Sequence, residues 1–122
     1  MDKAQAIYNF WAGFALPAYD ETQVLPEDAP LPRITYETVT DSFGQEIALT
    51  ASLWYYSTSW KDITQKAAEI SQSIGMGGKI IRTDTGAVWI KRGAPFAQRM
   101  GDSNDSIRRI VLNISAEFFE QN

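Results

Sequence analysis

The sequence predicts an α+β fold: an antiparallel sheet of about five strands with two main helices packed on one face. Three observations lead there. Residues 49–75, LTASLWYYSTSWKDITQKAAEISQSIG, read as a strand running without a linker into an amphipathic helix. Strand-like runs elsewhere are joined by short turns, which favours antiparallel pairing. A second helical pattern sits near the start. The expected order is α-β-β-α-β-β-(β)-β over one domain, residues 1–122.

Residues 2–14 form the first helix candidate. Ile7, Phe10, Trp11 and Phe14 recur at helical spacing and gather on one face. Asp2 is placed to cap it, and Pro17 forbids much extension. Residues 17–32, PAYDETQVLPEDAPLP, hold four prolines and four acids and read as a long irregular acidic loop. Loops longer than about 12–15 residues are usually functional or disordered, so this one either orders on a partner or is a solvated connection. Its acids lack the ligand spacing and turn glycine of a calcium loop.

Residues 33–40 are β-branched and aromatic, as in a strand, and 41–44 form a turn ending in Gly44. The next strand covers 46–56. Ile47, Leu49, Ala51, Leu53 and Tyr55 share its core side. Trp54 and Tyr56 point the other way and need cover from another element or another subunit. Ser59 with Asp62 fits a capping pattern for the helix that follows. Ile63, Ala67, Ile70 and Ile74 form its inner stripe, and Gly75 sits where a helix-ending glycine belongs. The glycines at 75, 77 and 78 follow a helix, whereas phosphate cradles precede one, so they read as an exit turn.

A hairpin is expected from 79–83 and 87–92 around Asp84-Thr85-Gly86. Gly93-Ala94-Pro95 breaks it, and 96–100 reads as a short further strand. After a turn at 101–105, residues 106–119 alternate with period two and give the longest strand candidate.

The composition narrows the function. With no Cys and no His, thiol nucleophiles, disulfides, a His-based triad and the usual zinc sites are excluded. Asp84, Asp102 and Asp105 lie in turns, where Asp bonds its own backbone, and Glu117 sits on a polar strand face. No catalytic, metal or cofactor residue is therefore expected. No apolar run approaches the roughly 18–20 residues of a membrane span, and the start lacks the pattern of a signal peptide.

The net charge of −4 is unevenly placed. Residues 1–60 hold eight acids and two bases; residues 61–122 hold seven acids and nine bases. Either the halves merely differ, or an acidic surface of one subunit meets a basic surface of the next. The second reading selects Tyr19, Asp20, Glu21, Glu27 and Asp28 in the loop and Lys91, Arg92 and Arg99 among the basic strands. Trp54, Tyr56 and Trp60 join them if they are not packed within the chain. Lys79, Arg82, Lys91, Arg92, Arg99, Arg108 and Arg109 also suggest a basic strip, but the acidic whole argues against direct nucleic-acid binding.

The segments NFWAGFALPAYDETQVLPEDAPLPRITYE, LTASLWYYSTSWKDITQKAAEISQSIG and WIKRGAPFAQRMGDSNDSIRRIVLNISAEF resemble tail terminator (tail-completion) and minor tail-assembly proteins of long-tailed bacteriophages and prophages. The resemblance covers nearly the whole chain and lies in length, element order and local phrases, with no short catalytic signature. It implies a structural protein of the virion tail, assembled in the host bacterial cytoplasm. It further implies a homo-hexameric ring that caps the tail tube and joins it to the head. The implied partners are other copies of itself, the tail tube protein and head–tail connectors, with no membrane and no cofactor. Two other readings remain open: a head-completion or minor capsid protein, and an α+β domain enclosing a small ligand in an apolar pocket.

Overall fold

The computed structural model describes residues 1–25, 29–39 and 45–120. In chain order the elements are α1 (Lys3–Ala12), β1 (Ala18–Asp20), β2 (Arg33–Tyr36), β3 (Glu46–Tyr56), α2 (Lys61–Ile74), β4 (Lys79–Arg82), β5 (Gly86–Met100) and β6 (Ile107–Glu120). They build one six-stranded sheet in the order β1-β2-β3-β6-β5-β4.

The long strand of 46–56 forms as expected, and its alternation sets the layers. Leu49, Ala51 and Leu53 are buried beside Ile110, Leu112 and Ile114 of its neighbour β6. Val88 and Ile90 of β5 extend the same face, and Ile34 and Tyr36 of β2 close it. The helices cover this side. α2 presents Ile63, Ala67, Ile70 and Ile74, all buried, and α1 presents Ala6, Ile7, Phe10 and Trp11. All belong to one apolar cluster. Truncating a fully buried side chain such as Ile63 or Ile70 to Ala costs about 2–5 kcal/mol, so this stripe is what fastens α2 to the sheet.

Local chemistry sets the helix ends. The Asp2 carboxylate accepts from the Gln5 N–H at 2.8 Å, as the sequence suggests. Gly75 ends α2 with φ of 76°, a value costly for any residue with a Cβ. The capping expectation for α2 is corrected: Trp60 holds the cap position with no side-chain bond, and Ser59 Oγ instead accepts from the Lys61 N–H at 3.1 Å.

Three strand expectations are also corrected. The 17–32 stretch is not all loop, because β1 lies inside it and pairs with β2 in parallel. Its entry is fixed where Ile34 N–H donates to Pro17 O at 2.8 Å. Its exit is fixed where the Asp20 carboxylate takes both the Thr22 N–H and hydroxyl, an Asx turn. The expected strand over 33–40 ends at Tyr36: the Glu37 carboxylate accepts from the Thr50 N–H at 2.6 Å, replacing a ladder bond. The expected turn at 41–44 lies outside the described residues. Finally, 96–100 is not a separate strand. β5 runs through Gly93-Ala94-Pro95 as an irregularity, with Arg92 opposite Ile114 and Ala97 opposite Leu112. Gly93 suits that place because a Cβ there would lie 2.9 Å from the Asn113 carbonyl oxygen. The sheet thus has six strands, one more than expected, in the order αβββαβββ.

Candidate interaction surface

The sheet face away from the helices carries the outward residues of every long strand. Cross-strand pairing there brings cations onto aromatic rings. Trp54 stands opposite Arg33 on β2 and Arg109 on β6. The Arg109 guanidinium lies 4.5 Å from the ring centre and that of Arg33 lies 6.0 Å away. The ring is pinned because its Nε1–H donates to Thr35 Oγ1 at 2.9 Å. Arg109 is pinned too, its Nε–H and Nη2–H both donating to Ser52 Oγ at 3.1 Å. A planar guanidinium suits a carboxylate or phosphate with the N–H donors it has left over.

Tyr56 is 71% exposed on the same strand end, opposite Ile107. Trp60 does not join this face. It packs against the edge of the core, between Arg99 at 4.8 Å and Arg108 at 5.3 Å. Arg108 is held by the carbonyls of Asp105 and Thr58, both at 2.8 Å. Arg99 is exposed and has no carboxylate partner among the described residues.

Lys91 and Arg92 are consecutive on β5 and so turn to opposite faces. Lys91 Nζ lies 3.1 Å from Glu46 Oε1 and 4.3 Å from the Trp89 ring. Arg92 Nη1–H donates to Ser71 Oγ of α2 at 3.0 Å. Both therefore already have polar contacts within the chain, whereas Arg99 has no carboxylate partner among the described residues.

The acids expected at an interface divide between the opposite edge of the sheet and the undescribed stretch. Tyr19 and Asp20 are on β1 and Glu21 follows it, whereas Glu27 and Asp28 lie outside the described residues. Burial and the neighbouring charges of Glu37 and Asp20 raise the Glu21 carboxyl above its ordinary pKa, while Arg109 opposes them. Burial, then Asp20 and Tyr8, raise Tyr36 as well. This edge of the sheet is thus a site of concentrated negative charge. Among the described residues no three acids are grouped to hold a metal ion, and no helix is long and apolar enough to cross a membrane.

The structure brings Trp54 and Tyr56 together on one face and Trp60 and Arg99 together at one sheet edge, and sets β1 at the other. Sequence reasoning missed Arg33, Thr35 and Ser52 as the neighbours that hold the Trp54 cluster. Only the strand register reveals them: the two arginines are 76 residues apart in the numbering yet flank one ring.

The sequence matches no protein-family model and no curated protein. The fold is similar to that of a chain in the virion of the native gene transfer agent particle. That likeness has a TM-score of 0.58 at 19% sequence identity and covers 94% of this chain and 92% of that one.

Proposed function

We propose that this chain is a structural subunit of a phage-like particle and acts in tail assembly, most specifically as a tail terminator. One observation carries the reading: over nearly the whole of both chains, the fold is similar to that of a component of a gene transfer agent virion. The tail-terminator resemblance of the sequence agrees with it. So does a surface offering pinned Trp–Arg pairs and open strand edges.

The mechanism is geometric. Copies join through unlike patches, which closes a ring when the rotation between them allows. The ring occupies the end of the tail tube, stops its growth and offers the head a new surface. No bond is made or broken.

Removal of the chain from its producing particle tests this. A terminator role predicts tails of uncontrolled length lying free of heads, with joining restored when purified protein is added back. Tails of normal length beside unsealed heads would instead assign the chain to head completion. Normal joined particles would overturn both.

A further inference from the structure

The two open edges of the sheet lie on the same rows. Ala18 of β1 leads across Ile34, Leu53 and Ile110 to Arg99 of β5. Tyr19 leads across Thr35, Ser52 and Val111 to Gln98, and Asp20 across Tyr36, Ala51 and Leu112 to Ala97. β4 pairs only with residues 87–90 of β5, so 96–100 have β6 on one side and no strand on the other among the described residues. β1 is likewise the last strand on its side. Pro95 lacks an N–H and blunts the start of the open β5 segment; residues 96–100 hold no further proline, and Arg99 is their one charge.

Direction and charge also match. β1 runs parallel to β2, β2 and β3 are antiparallel, and so are β3 and β6, and β6 and β5. β1 and β5 therefore point in opposite directions. A copy displaced along the rows brings its β1 antiparallel to the open segment of β5, at the same height. In this register Asp20 falls opposite Ala97, on the same face as Arg99 and one diagonal from it. In the isolated chain the acidic edge is crowded with its own charge, and Arg99 has no carboxylate partner among the described residues.

We infer that a second copy of this chain docks β1 against residues 96–100 of β5, continuing the sheet from one subunit to the next in a head-to-tail contact. The inference rests on the proposed ring and assigns its joint. The Trp54–Arg109 face stays outside this joint and remains free for a different partner.

The absence of cysteine makes the test direct. Gln98→Cys protein is mixed with Ala18→Cys, Tyr19→Cys or Asp20→Cys protein under mild oxidation, and the masses of the untreated mixtures are measured in parallel. Strands paired across a ladder hold their Cα atoms within disulfide reach, about 4.5–5.5 Å. A mixed disulfide between Gln98→Cys and at least one of the three, absent from mixtures of Gln98→Cys with Ser73→Cys on α2, is the expected result. Rings without any such cross-link overturn the edge pairing and leave the ring reading standing. Neither oligomer nor cross-link in concentrated protein overturns both.

Discussion

The guanidinium of Arg109 lies 4.5 Å from the centre of the Trp54 ring, and the ring and the cation are each fixed by a hydroxyl on a different strand. Arg109 spans β6 to β3 through Ser52, which is buried, so the pair is a brace as well as a surface. An exposed cation–π contact is worth about 0.5–1 kcal/mol, and a hydrogen bond to a charged group about 1.5–3 kcal/mol. Arg109→Ala is expected to lower stability by about 1–3 kcal/mol. Arg109→Lys recovers only part, because an ammonium cannot make the two-pronged contact with Ser52. Urea midpoints at constant slope measure both.

Gly78 leaves no room for a side chain. Its φ is +84°, and a Cβ would meet Trp89 Nε1 at 2.5 Å and the Ile90 carbonyl oxygen at 2.7 Å. The indole above it is held by a 2.9 Å bond to the Gly77 carbonyl. Gly78→Ala is expected to cost about 1–3 kcal/mol and to shift the Trp89 indole N–H resonance. Gly77→Ala, with open space around it, should stay within about 1 kcal/mol of the parent. Equal effects at the two positions would refute the close-approach argument.

These two features show which parts of the molecule can be read in a sequence. The inner faces were legible because burial writes a period: 2 along 46–56 and 106–119, 3.6 along 61–74. The helix stripe and the face of β3 appear where expected. Strand β1 was hidden because it has three residues between prolines and acids, and its parallel pairing depends on β2 rather than on its own pattern. The continuity of β5 was hidden because Gly93 and Pro95 ordinarily end strands, whereas here they sit in an irregularity that Asn113 helps to hold by donating to the Pro95 carbonyl. The candidate surface was half legible. An outward Trp54 follows from alternation alone, but its arginines follow only from register.

Two carboxylates should move stability with pH in opposite ways. Hydrogen bonds from Ser115 and then Lys91, with the charge of Lys91, hold Glu46 below its ordinary pKa. Its stabilisation is present above the unfolded value and is lost as pH falls through the lower folded one. Glu21 is raised, by burial first and then by Glu37 and Asp20. The stability it contributes is complete below the unfolded value and is lost as pH rises through the folded one. Glu46→Gln should therefore flatten the acid limb of the stability curve. Glu21→Gln should match the parent in acid and exceed it near neutrality. Urea midpoints across the acid range check both signs, and the same trend for the two variants would contradict them.

Charge reversal of Lys91 and Arg92 is a blunt probe of subunit contact, since it also breaks the Glu46 and Ser71 contacts within the chain. Arg99 and Asp20 are the pair that the register brings together, on one face and one diagonal apart across the joint. Arg99 is exposed and lies 4.8 Å from the Trp60 ring, where Arg108 keeps the other contact. Asp20 is half-buried, and its carboxylate accepts from the N–H and hydroxyl of Thr22 in its own chain. If unlike edges meet, Arg99→Glu alone sets acid against acid, and Asp20→Arg alone sets base against base. Each should weaken self-association by about 5- to 50-fold at low salt, the equivalent of about 1–2.3 kcal/mol. The double variant restores opposite charges across the joint and should recover most of the loss, with the sign of each partner exchanged. Sedimentation velocity at low and high salt measures this, because screening narrows the differences between variants. Losses that simply add in the double variant would show that the two residues do not face one another across a subunit boundary.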